Sequence, residues 1–297
     1  MIVLAIGCGT QPSQPEGSAE RIARPGSLWS IAQLAQAEHN VLILDIRKSD
    51  DYALGHIPNA RQLWRSAFTI EVDGGENLGQ YGGMACSRNE MSNLLDSLGA
   101  RENQQIVVYD GVGGCDAARV WWMLRLYGHQ EVALLDGGVP AWEAAGKAVS
   151  VETISAPQRH GFVFGNGGQT ELLVTLEEVD LARTDGQTII LDTRSASEHH
   201  GEMKKKGAIR AGHIPGSVHY DWGNAVNLNG LGEMKPLKDL IYDLAQRDIH
   251  SDTPVITYCH SGVRSAHTTF VLREILGYTQ VRNYDGSWTE YSRRKGD

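Results

Sequence analysis

Cys259 lies within Pro254-Val255-Ile256-Thr257-Tyr258-Cys259-His260-Ser261-Gly262-Val263-Arg264, and the order of residue types there points to chemistry. The apolar and β-branched run before the cysteine reads as a buried parallel strand, and a helix is expected from near Ser265. The loop between them lies at the carboxyl end of a strand, where α/β sheets bind ligands. A short loop that turns into a helix N-terminus aims several backbone N–H groups at one point. Gly262 permits a turn that a side chain would hinder, the helix start adds about half a positive charge, and Arg264 adds a full one. The product is an anion cradle around one sulfur. A thiolate is favoured there over the thiol, and so is a persulfide, whose terminal sulfur is also anionic. A buried structural cysteine at a strand end would explain the strand but not the glycine, the arginine and the helix start together.

Cysteine phosphatases also hold a thiolate in an anion cradle, but they space the arginine one residue further on than the step of five here (264 − 259). A smaller loop suits a sulfur atom better than a tetrahedral phosphoryl group. Tyr258, not a histidine, precedes the cysteine. A third reading is non-enzymatic: a persulfide carrier that only delivers sulfur.

The elements that must position this loop occur twice. Val41-Leu42-Ile43-Leu44-Asp45-Ile46-Arg47 recurs as Ile189-Ile190-Leu191-Asp192-Thr193-Arg194, Gly55-His56-Ile57-Pro58 as Gly212-His213-Ile214-Pro215, and Asp136-Gly137 as Asp285-Gly286. Val107-Val108-Tyr109-Asp110 recurs as Ile256-Thr257-Tyr258-Cys259, so Asp110 occupies the nucleophile's place in the first half, and Cys115 falls on the register of Arg264. A carboxylate cannot carry sulfane sulfur. The runs 41–46, 106–109, 189–192 and 255–258 read as buried parallel strands, and 88–98, 117–127, 236–247 and 265–276 have helical spacing. Strand–helix alternation predicts an α/β fold with a central, mostly parallel sheet in each half. Changes of offset predict a longer loop around 204–210 in the second half and a longer glycine-rich loop around 73–83 in the first. The stretch 119–125, Arg119-Val120-Trp121-Trp122-Met123-Leu124-Arg125, reads as a helix whose apolar face is buried.

The 297 residues have room for two domains. A net charge of -9 argues against a nucleic-acid partner, and Lys204-Lys205-Lys206 reads as a solvated loop. The four cysteines, Cys8, Cys86, Cys115 and Cys259, have neither metal-ligand nor disulfide-framework spacing, and no metal or organic cofactor is implied. Met1 to Ile6 is apolar and leads into Gly7-Cys8 and a polar tract. Two readings stay open for it. One is the cleavage region of a lipoprotein signal, which would tether the protein to a membrane through a lipidated Cys8 and place it in the cell envelope. The other is a frayed strand or tail of a cytoplasmic protein.

From about Ser27 to Tyr291 the sequence resembles the rhodanese family, in particular its tandem-domain thiosulfate and 3-mercaptopyruvate sulfurtransferases. Cys259 to Arg264 resembles the six-residue active loop, Gly212 to Gly216 the upstream signature, and Val281-Arg282-Asn283-Tyr284-Asp285-Gly286-Ser287-Trp288-Thr289-Glu290-Tyr291 the carboxy-terminal signature. The resemblance implies two tandem rhodanese-like domains, the first (25–149) without catalytic function and the second (172–297) catalytic, with 1–24 as a tail and 150–171 as a linker. It implies sulfur transfer from a small donor to a small acceptor, by ping-pong through a Cys259 persulfide. Donor contacts are expected from Arg264, His260, Ser261, Gly262 and Val263, and from Arg194 and Arg210; Arg194 has the alternative of pairing with Asp192. His56 and His213 are expected to support turns, and Tyr284 and Trp288 to be core or pocket wall. Where the family carries a further substrate arginine, this chain has Glu198.

Overall fold

The computed structural model describes residues 22–37, 41–152 and 154–294. The apolar start and Cys8, with the lipoprotein reading attached to them, lie outside the described residues. No helix among those described is long and apolar enough to cross a membrane.

Each half builds a five-stranded parallel sheet, and the two sheets share one topology. In space the first runs Leu28–Trp29, Val132–Leu135, Ile106–Tyr109, Leu42–Asp45, Arg61–Gln62. The second runs Leu173–Val174, Val281–Tyr284, Val255–Tyr258, Ile189–Asp192, Val218–His219. The central strands are Ile106–Tyr109 and Val255–Tyr258, buried along their whole length. That explains their unbroken apolar character: a strand covered by helices on both faces has no polar side to show.

The helices expected near 117 and 265 begin two residues earlier, as Cys115–Tyr127 and Val263–Phe270. In each, the residue before the helix is a glycine in the left-handed region, Gly114 at φ 78° and Gly262 at φ 74°. The second helix continues into one turn of π-helix, Val271–Ile275. These two helices pack against each other across the domain boundary. Trp121 meets Phe270 edge-to-face at 5.1 Å, and one apolar core runs from Trp121 and Trp122 to Phe270, Val271 and Ile275. Cys115–Tyr127 is enclosed almost all round, as helices at the centre of a large core are.

Two segments differ from the sequence expectation. The glycine-rich loop of the first half is an antiparallel hairpin, Thr69–Asp73 with Gln80–Ala85, and it reaches the second domain. Tyr81 donates to the Glu290 carboxylate and the Ala85 N–H donates to Asp285 Oδ2 at 3.0 Å. The connecting stretch has no regular element from 154 to 165, yet it is no loose tether. Phe162 and Phe164 are buried in the core, and Asp96 Oδ1 accepts the N–H groups of His160, Gly161 and Phe162.

Candidate active site

The strand Val255–Tyr258 is braced from below by a buried ion pair. Arg194 grips Asp192 through Nε (2.8 Å) and Nη2 (2.6 Å) and donates to the Gly212 carbonyl at 2.8 Å. The Tyr258 hydroxyl donates to Asp192 Oδ2 at 2.8 Å and accepts from the Ile214 N–H. Burial alone would raise the Asp192 carboxyl, but these donors, with His199, hold it well below the usual carboxylate range. The first domain repeats the arrangement with Arg47, Asp45, Gly55, Tyr109 and Ile57. Arg194 is 1% exposed, lies over the rings of Tyr258 and Trp288, and has its donors turned to Asp192 and Gly212. Of the two roles read from the sequence, the structure shows the pairing with Asp192. Arg210 stacks over Trp288 and Tyr291, and its carbonyl accepts from the Trp288 indole at 3.0 Å. Trp288 and Tyr284 are core residues. His56 and His213 sit in their turns, each with Nδ1 at a backbone carbonyl four or fourteen residues back, Tyr52 (3.1 Å) and His199 (2.8 Å).

At the strand's end the Cys259 side chain is only 1% exposed, but its walls are polar. Burial pushes its thiol pKa up. The Arg264 guanidinium, the Ser265 hydroxyl and the N–H groups of Ser265 and Ser261 pull it down and prevail, leaving it below an ordinary thiol. His260 and Ser261 form the loop's outer turn. His260 Nε2 lies 3.0 Å from the Lys206 carbonyl, and its ring is held below the usual histidine pKa, mainly by burial. Val263 opens the helix and is buried.

The first domain performs a control on this cradle. Asp110, in the register of Cys259, points its carboxylate into the equivalent loop. There Oδ1 accepts from the N–H groups of Val112 (2.8 Å) and Gly114 (2.9 Å), and Oδ2 from Asp116 (2.8 Å) and Ala117 (3.2 Å). Val112 and Asp116 are the counterparts of Ser261 and Ser265, 149 residues on (259 − 110). The same turn thus gathers backbone N–H groups around a carboxylate in one half and a sulfur in the other, although burial and then Asp116 outweigh those donors and leave the Asp110 carboxyl raised, to about 6. Cys115 is buried, and burial, then Asp116 and Asp110, raise its thiol pKa. Cys86 is likewise buried and raised, to about 11.

Several residues that shape the site escaped the sequence reading. Ser287 Oγ accepts the N–H groups of both Cys259 and Gly262 at 3.1 Å and donates to the Tyr284 carbonyl at 2.8 Å, clamping the loop's two ends. It does so at φ 50°, in the left-handed region; its first-domain counterpart is Gly138, at φ 54°. A serine where a glycine would sit without strain was the available signal. Arg119, fully buried, crosses from the first domain to Asp285 (2.5 Å) and the Gly262 carbonyl (3.3 Å). A Cβ on Gly262 would stand 2.5 Å from Asp285 Oδ1 and 2.6 Å from Arg119 Nη1, so glycine is required there by space as well as by φ. A Cβ on Gly83 of the hairpin would stand 2.7 Å from Ser261 Cβ; the first domain therefore walls the active loop. Arg264 itself is forked by Glu198, Nη1 to Oε2 at 2.6 Å and Nη2 to Oε1 at 2.9 Å.

Two matches to the model of the rhodanese-like domain cover residues 30–145 and 175–294. The chain belongs to the rhodanese family. Among its relatives are a putative thiosulfate sulfurtransferase of Saccharopolyspora erythraea, 33% identical over 81% of this chain and 83% of that protein, and the sulfur carrier protein TtuD of Thermus thermophilus, 31% identical over 82% and 85%. The crystal structure of the 3-mercaptopyruvate sulfurtransferase SseA of Escherichia coli superimposes with a TM-score of 0.74 at 26% identity, covering 88% of this chain and 98% of that one. This rhodanese is a sulfurtransferase built from two tandem rhodanese-like α/β domains, acting on small sulfur compounds.

Proposed function

We propose that this rhodanese moves sulfane sulfur from thiosulfate to cyanide or a thiol, with Cys259 as the carrier of the sulfur. The observation that supports it is the pairing of a depressed thiol pKa at Cys259 with a first-domain copy of the loop that holds a carboxylate on four N–H groups. The Cys259 thiolate attacks the outer sulfur of thiosulfate. The S–S bond of the donor breaks and its electron pair leaves with sulfite. The new persulfide keeps the negative charge, which the N–H groups of Ser261 and Ser265 and the Arg264 guanidinium stabilise. Cyanide then attacks the terminal sulfur, thiocyanate departs, and the thiolate is restored. The domain boundaries 25–149 and 172–297, with 172–297 catalytic, belong to the same reading, as does small-molecule exchange at His260, Ser261, Gly262 and Val263.

Incubation with thiosulfate and with mercaptopyruvate in parallel tests it. Intact mass should rise by one sulfur atom, mapped to the Cys259 peptide, with thiosulfate and be discharged by cyanide as thiocyanate. Loading by mercaptopyruvate alone would move the donor assignment to the second reading, which the likeness to SseA favours. A persulfide that forms but is not discharged by any small acceptor would favour a delivery protein, the role in the name of TtuD.

A further inference from the structure

Glu198 has a part in this site beyond that reading, one that rests on Cys259 being the nucleophile. It sits at the third position of the short helix Ala196–His199, where its carboxylate caps Ser195, and it is 2% exposed. Both of its oxygens face the two terminal nitrogens of Arg264, and Lys205 adds a second cation 3.4 Å from Oε2. Burial alone would raise its pKa, yet the Arg264 fork holds it down at about 2. The guanidinium that stabilises the sulfur is therefore already engaged on its outer edge by a full negative charge.

We propose that Glu198 sets donor selectivity: it positions Arg264 beside Cys259 and, by occupying both terminal nitrogens, denies them to an incoming anion. A guanidinium pairs a carboxylate or an oxyanion most strongly through two parallel N–H bonds. With that edge taken, any anionic donor, thiosulfate and a carboxylate-bearing donor alike, finds one cation already neutralised and a like charge beside it. The remaining attraction comes from the loop N–H groups. Thiosulfate therefore binds more weakly than it would beside a free Arg264, and a donor that needs a two-point grip on the guanidinium loses most. Selection by repulsion is as effective as selection by contact.

The test reads charge at Cys259 without requiring sulfur transfer. Alkylation of Cys259 is timed with iodoacetate, an anion, and with iodoacetamide, its neutral analogue, by mass mapping of the Cys259 peptide. Glu198→Gln keeps the shape and the cap and removes the charge. The expected result is a rise in the iodoacetate-to-iodoacetamide rate ratio on the order of tenfold, together with a lower KM for thiosulfate. Glu198→Asp, which retains the charge, should stay near the wild-type ratio. An unchanged ratio in Glu198→Gln overturns the proposal, as does an equal slowing by both reagents, which would mean that Glu198 only orders Arg264. A raised ratio in a protein that turns over no thiosulfate sustains the selectivity and sinks the donor assignment instead.

Discussion

The loops after Ile106–Tyr109 and Val255–Tyr258 are one turn used for two purposes. In both, a glycine adopts a left-handed φ, Gly113 at 64° and Gly262 at 74°, and backbone N–H groups converge on the residue that ends the strand. The first domain closes its cradle with its own carboxylate and becomes a fixed part of the fold. The second places a sulfur there, adds Arg264 where the first has Cys115, and replaces Gly138 by Ser287. The difference teaches that the turn of converging N–H groups belongs to the fold, while three positions set the two loops apart. The first domain keeps a role all the same, because its hairpin and Arg119 wall and anchor the working loop.

The largest effect should come from removing the sulfur. Cys259→Ala should abolish thiocyanate formation, while Cys115→Ala and Cys86→Ala should leave it; full activity in Cys259→Ala would end the assignment. Next, the carboxylate of the first loop should matter to stability rather than turnover. Asp110→Ala leaves four N–H groups without their acceptor, those of Val112, Gly114 and Asp116 part-buried and that of Ala117 buried, and should lower the unfolding free energy by about 1–3 kcal/mol, measured by urea titration. A loss below about 0.5 kcal/mol, as for an ordinary surface substitution, would mean that the N–H groups of this loop do not depend on the carboxylate. Ser287→Gly separates strain from function. The first domain shows that glycine fits this φ, so stability should change by no more than about 1 kcal/mol. The rate of persulfide formation should fall roughly tenfold as the clamp on the loop is lost.

Two smaller effects depend on pH. Because the Cys259 thiol is held below its ordinary pKa, the alkylation rate should level off at a lower pH than for a free thiol. Arg264→Gln should move that midpoint upward and weaken donor use more than folding. An unmoved midpoint would remove Arg264 from the electrostatics of the sulfur. The Glu198 carboxyl has a depressed pKa, so the stability from its Arg264 pair is present above its unfolded value of about 4.3. That stability should fade as the pH drops toward about 2. Glu198→Gln should flatten the acid limb of the unfolding curve, and an unaltered limb would mean that the pair contributes nothing.

The duplication, the α/β class, the central strands and the loop that carries Cys259 were legible from residue order, because strand burial, a turn glycine and a helix start are local patterns whose spacing the chain carries in one dimension. Asp110 in place of Cys259 was legible for the same reason. What the sequence could not state was who meets whom across 60 to 200 residues: Glu198 on Arg264, Arg119 on Asp285, the hairpin against Ser261. Arg194 had two partners open to it in the sequence, and only burial between Tyr258 and Trp288 decided for Asp192. Long charged side chains reach in any direction from their backbone positions, so their pairing is set by which surfaces the packed core brings together.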